Sequence, residues 1–209
     1  PGTSEMHFVA ALDRVDGMRC VLCLFEGVTS GAADGYYRMA DRPASTLLHL
    51  GPGLGNALAN LHNLKKAKSG VVNVVGEHAT YHRIFDAPLT SDIEGIARPV
   101  SHWVKTSMSA RDVAAAGAAA IAAAKAPPGQ VATLVLPADT AWNEGSGVAP
   151  LPPLAVRLPV ATEAVRLSAE ALRGGDAVLL LGGVALREAG QRAAARIAAR
   201  TGCRVMAEG

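Results

Sequence analysis

Apolar and polar positions fall in blocks along this chain rather than alternating one by one. Short apolar runs appear at 19–25 ("RCVLCLF"), 45–50 ("STLLHL"), 71–75 ("VVNVV"), 131–136 ("VATLVL"), 177–181 ("AVLLL") and 203–206 ("CRVM"). Their length and apolar, β-branched content predict strands. Because the runs are apolar throughout, both faces of each strand should be covered, which suits a parallel sheet. Between them lie stretches that predict helices at 4–13, 27–39, 55–66, 110–125, 162–172 and 187–200. The run "ARDVAAAGAAAIAAAK" is a strong helix former by intrinsic propensity, and Val113 and Ile121 mark it as a packed crossover. The fold class is therefore α/β, a parallel sheet flanked by helices.

The periodicity fails once, at 143–159 ("NEGSGVAPLPPLAVRLP"), where Pro150, Pro152, Pro153 and Pro159 cluster. This divides the chain into a domain at 1–145, a linker at 146–159 and a second unit at 160–209. The second unit has two strand runs, too few for a complete doubly wound domain, and is expected to be truncated.

Composition narrows the function. The chain has 209 residues, half of them apolar and 18% charged, enough to bury a substantial core. A net charge of +2 and an aromatic content of 4% give no footing for nucleic acid. No apolar run reaches the roughly 18 residues of a membrane span. The chain starts "PGTSEMHF", without an initiator Met or signal peptide, and the expectation is a cytoplasmic protein, or a piece of one, that lacks its first residues.

Three cysteines, Cys20, Cys23 and Cys203, do not make a disulfide framework. Cys20 and Cys23 have C-x-x-C spacing but fall in a predicted strand, so their side chains should point to opposite faces as small buried residues. His78 and His82 are four apart, a spacing that suits zinc on a helix, yet no third ligand is evident and a polar loop is the simpler reading. Lys65, Lys66 and Lys68 read as a solvated helix C-terminus.

Two positions carry more weight. Glu26 ends the first apolar run, and His49 ends the second. Ligands of open α/β sheets bind outside the carboxyl ends of strands. Glu26 could equally be an acid favoured by a helix N-terminus, and His49 a satisfied core histidine. The glycines Gly51, Gly53 and Gly55 that follow His49 make either a tight strand–helix turn or a place where a ligand reaches the backbone. The sequence lacks the Lys of a phosphate-binding P-loop, and Asn56 stands where a dinucleotide fingerprint needs its third glycine.

Four segments in order, "PGTSE" (1–5), "FEGVTSGAADGYYRM" (25–39), "LLHLGPGLGNALANLHNL" (47–64) and "VVNVVGEH" (71–78), resemble the thiamine-diphosphate enzymes of acetolactate synthase and benzoylformate decarboxylase type. The resemblance covers residues 1–145 as that family's pyrimidine-binding domain. The remainder resembles the start of its Rossmann-like central domain. It implies a lyase or transferase that decarboxylates or joins 2-keto acids, with thiamine diphosphate and Mg²⁺ as cofactors. A non-catalytic homologue that serves as a binding or assembly subunit is the alternative. The resemblance assigns Glu26 to N1′ of the cofactor's aminopyrimidine and His49 to proton transfer. Pro1, Gly2, Gly51, Gly53 and Asn56 would contact the cofactor, and Thr3, His49 and Glu77 the substrate. Glu77 departs from the glutamine usual in the synthases. No metal ligand is assigned to this chain. The family's G-D-G metal motif is absent from it, so Mg²⁺ and the diphosphate fall to a further domain, and this fragment alone is expected to be inactive. A homodimer or homotetramer is implied. FAD, carried by the central domain of some synthases, has no support in these residues.

Overall fold

The computed structural model describes residues 1–208; Gly209, the last residue of the expected second domain, lies outside the described residues. The chain forms two compact units, which divide between Val156 and Arg157. From Glu144 to Ala161 there is no helix or strand.

The first unit opens with a 3₁₀ turn at Thr3–Glu5 and helix α1 (Met6–Leu12). Helix α2 (Glu26–Ala40), strand β1 (Ala44–Leu48), helix α3 (Leu50–Ala67) and strand β2 (Val71–Glu77) follow. After them come helix α4 (Ile93–Ala97), strand β3 (Trp103–Thr106), helix α5 (Ala110–Lys125), strand β4 (Val131–Pro137) and helix α6 (Ala138–Trp142). The strands pair in the order β1-β2-β4-β3, every pair parallel. All seven residues of β2 and all seven of β4 are buried. That is why both read as unbroken apolar runs. One face of the sheet carries α3 and α4, with Val71, Val75, Leu54, Leu61 and Ile93 in one core. The other carries α5, whose Ala116, Ala120 and Ala124 let it lie close on Val72, Val74 and Leu134.

A polar thread crosses this core. Thr46 donates to Asn73 Oδ1 at 2.8 Å, Asn73 donates to Thr133 Oγ1 at 3.2 Å, and Ser101 Oγ lies 2.8 Å from Thr133 Oγ1. The register places Thr46, Asn73 and Thr133 side by side on β1, β2 and β4. With Ser101, four buried side chains thus satisfy one another instead of orphaning their polar groups.

The second unit contains helix α7 (Thr162–Arg173), strand β5 (Val178–Leu181), helix α8 (Glu188–Thr201) and strand β6 (Arg204–Ala207). Its two strands pair in parallel.

One predicted strand does not form. Residues 19–25 are in no sheet, and Val21, Leu22, Leu24 and Phe25 lie exposed, Leu24 at 97%. Apolar character alone suggested burial there, but no neighbouring strand takes up the segment's backbone. Cys20 is consequently exposed and Cys23 half-buried, so the small-buried-residue reading of the pair is corrected. The glycine-rich stretch also differs. It is the first turn and a half of α3, which starts at Leu50 rather than at residue 55. Strand β3 and the five-residue helices α4 and α6 were not foreseen.

Candidate active site

The site forms where α2 and α3 begin. Phe25 is the extended N-cap residue of α2, and Glu26 is its first helical residue. The structure therefore corrects the placement of Glu26 from a strand end to a helix N-terminus, where the macrodipole favours a carboxylate. His49 is the N-cap residue of α3, directly after β1. The turn between them is sharp. Leu50 takes φ +48°, a left-handed conformation rare for leucine, and is held there by complete burial. Gly53 N–H then closes the first helical turn on His49 O at 2.7 Å.

Small residues let α2 and α3 pack closely. Ser30 donates to Glu26 O at 3.0 Å and approaches Ala57 O at 3.4 Å. Asn60 donates to Gly27 O at 2.6 Å, so α3 grips the first turn of α2. The glycine, serine and alanine positions after Glu26 thus serve the seam between two helices. That seam sets Glu26 against α3. Asn56 donates to Glu26 Oε2 at 3.0 Å, and the Cβ that Gly53 lacks would stand 3.4 Å from Glu26 Oε1.

His49 is held from the other side. Its Nδ1 lies 2.8 Å from Oε2 of Glu5, which is 2% exposed. Gly2 N–H donates to the same oxygen at 2.5 Å, and a side chain at Gly2 would collide with the His49 ring. Thr3 and Pro1 are exposed beside this turn. Glu5 was not singled out from the sequence. The available signal was its place three residues after Gly2 at a helix start, the spacing of a capping box.

The remaining residues separate from this cluster. A side chain at Gly51 would meet Ser91 Oγ, so loop packing alone is enough to require glycine there. Gly76 faces Glu5, whereas Glu77, next along β2, points to the opposite side of the sheet. There Glu77 is buried, 3.8 Å from Arg83, in a pocket of about 400 Å³ lined also by Asp92, Glu94, Arg98 and Thr106. His78 and His82 meet edge to face at 5.4 Å between ring centroids. Among the described residues no group of three or more His, Cys, Asp or Glu could hold a metal ion. No helix there is long and apolar enough to cross a membrane.

The chain's first unit is thus an α/β domain whose parallel sheet carries a carboxylate and a histidine at the starts of two adjacent helices. Residues 1–96 match the family model for the thiamine pyrophosphate enzyme, N-terminal TPP binding domain, and this part of the chain belongs to that domain family. It is 55% identical, over its whole length, to a candidate acetolactate synthase large subunit, IlvX, of Mycobacterium tuberculosis, and covers 40% of that protein. It is 31% identical over 140 residues to benzoylformate decarboxylase of Pseudomonas aeruginosa, covering 66% of this chain and 26% of the relative. Among solved structures, a candidate thiamin diphosphate-dependent enzyme from Mycobacterium smegmatis superposes with a TM-score of 0.90 at 26% identity, over 100% of this chain and 40% of that one. Benzoylformate decarboxylase from Polynucleobacter necessarius superposes with a TM-score of 0.77 at 25% identity, over 99% and 39% of the two chains. The chain thus spans well under half the length of these relatives.

Proposed function

We propose that this chain is the pyrimidine-binding part of a thiamine-diphosphate-dependent enzyme that decarboxylates 2-keto acids, joins them, or does both. The observation that carries the reading is the meeting of Glu26, Gly53 and Asn56. A flat aminopyrimidine needs a carboxylate to exchange a proton with its ring nitrogen, and a wall free of Cβ to lie against. Glu26 and Gly53 offer both, so the residues fit the cofactor. The relatives' names, acetolactate synthase and benzoylformate decarboxylase, supply the substrate class.

Thiamine diphosphate, when bound, supplies the carbanion chemistry that breaks or makes the bond beside a keto group. Glu26 holds and moves a proton at its carboxylate, which Asn56 fixes through Oε2. His49, with Nδ1 turned to Glu5, presents Nε2 for proton transfer with the substrate. Thr3 lies on the same turn as Gly2 and contributes a hydroxyl toward the substrate. Glu77 and Arg83 line the separate pocket, where they would meet a more distant part of the substrate. Mg²⁺ and the diphosphate are assigned to a domain outside this chain, and the working enzyme to a cytoplasmic homodimer or homotetramer.

Isothermal titration of the full-length protein with thiamine diphosphate and Mg²⁺ tests the reading. Saturable binding that is weakened in Glu26→Gln is the expected result. Absence of binding to the full-length protein would overturn it.

A further inference from the structure

We infer that Glu5 is the positioning residue for His49, fixing which imidazole nitrogen faces the reaction. The inference rests on the proposed role of His49 and deepens it.

The geometry leaves Glu5 one job. Its carboxylate is almost wholly buried, and burying a charge is costly unless it is matched by donors. Both donors fall on one oxygen, with Gly2 N–H at 2.5 Å and His49 Nδ1 at 2.8 Å from Oε2. An oxygen that already accepts a backbone N–H is poorly placed to carry a proton itself. Nδ1 of His49 must then be the donor, which leaves Nε2 to accept or deliver a proton. The other oxygen, Oε1, is buried against Gly76 with no hydrogen-bond partner among the described residues. Any side chain at position 76 would displace it, so β2 gives Glu5 its seat. Gly2 also crowds the ring, since any Cβ there would collide with His49 Cε1, Nδ1 and Nε2. Glu5, Gly2 and Gly76 therefore form a socket around one nitrogen of one histidine. A carboxylate kept merely for folding would not need its paired oxygen aimed at a half-exposed imidazole.

The test uses full-length enzyme loaded with thiamine diphosphate and Mg²⁺, as wild type, Glu5→Gln, His49→Ala and the double variant. Glu5→Gln should lower kcat on the order of 10- to 100-fold, the range found for outer partners of site histidines at metals. The affinity for thiamine diphosphate should stay within about twofold, since the hydrogen bonds of Glu5 go to Gly2 and His49 whereas Glu26 is held by Asn56. The double variant should be no slower than His49→Ala alone, because the two residues act as one unit. An equal loss from Glu5→Gln in both backgrounds would overturn the inference. If Glu5→Gln does not fold, Glu5→Asp enters the same cycle with the same two outcomes. If the wild-type protein turns over no 2-keto acid, the proposed function fails, and Glu5 is judged by the ¹⁵N signals of the His49 ring. A proton on Nδ1 in wild type that is lost in Glu5→Leu, which removes the acceptor oxygen that Gln would keep, supports the socket. An unchanged tautomer refutes it.

Discussion

Asn56, near the start of α3, donates its side-chain amide to Oε2 of Glu26, the first residue of α2, at 3.0 Å. Two helix N-termini are thereby tied through a carboxylate rather than through backbone. The contact is solvent-accessible, so Asn56→Ala should cost about 1 kcal/mol of cofactor binding, the usual net value of one hydrogen bond. That is roughly a fivefold rise in Kd for thiamine diphosphate, readable by titration of the full-length protein, with Tm unmoved.

Gly53→Ala separates folding from function. Alanine is the better helix former by about 1 kcal/mol. Yet its Cβ would stand 3.3 Å from Leu48 C and His49 Cβ and 3.4 Å from Glu26 Oε1. The helix gain and the crowding should nearly cancel in Tm, while thiamine diphosphate affinity falls about tenfold or more as the carboxylate is pushed aside and the wall gains a methyl group. A parallel loss of Tm and affinity would mean that the glycine serves packing alone.

Much of this arrangement was legible beforehand, and the reasons are physical. β2 and β4 are buried on both faces, so their apolar runs announced them. α5 announced itself through alanine, and its observed bounds match the expected 110–125. Trp103–Thr106 did not, because an edge strand of four residues with a Lys at its centre resembles a loop. Residues 19–25 misled in the opposite sense, since their apolarity belongs to an exposed segment. His49 and Glu26 were named as candidates, and for Glu26 the expected strand-end setting was wrong. Whether an acid ends a strand or begins a helix depends on backbone pairing that its neighbours' types do not reveal. Glu5 was invisible for a similar reason, as its partner is 44 residues away.

The buried polar thread predicts a stability loss without a site effect. Asn73→Ala removes the link between Thr46 and Thr133 at a fully buried position and leaves a cavity. A cost of about 2–4 kcal/mol in urea unfolding is expected, from unpaired hydroxyls plus lost packing. Thiamine diphosphate binding by the protein that remains folded should be unchanged.

His102 makes stability fall on the acid side. Partial desolvation, then the nearby Lys65 ammonium, holds its imidazole below the usual histidine value. Its Nδ1 accepts the Val131 N–H at 3.0 Å, which requires that nitrogen to be unprotonated. The unfolded chain takes up a proton as pH drops below about 6.5, while the folded chain resists until a lower pH. The contribution is therefore intact above that value and lost as pH falls through the folded one. Unfolding midpoints measured from pH 7.5 to 5.0 should decline, and His102→Gln should flatten part of that slope. Equal slopes in the two proteins would remove His102 from the account.

The central claim concerns Glu26, and turnover of a 2-keto acid by full-length wild-type and Glu26→Gln enzyme, at saturating thiamine diphosphate and Mg²⁺, tests it most directly. Glutamine keeps the shape and the Asn56 contact but cannot exchange the proton. The account predicts a fall in kcat on the order of 10²- to 10⁴-fold, the range for losing a general acid–base group. Turnover equal to wild type would contradict it.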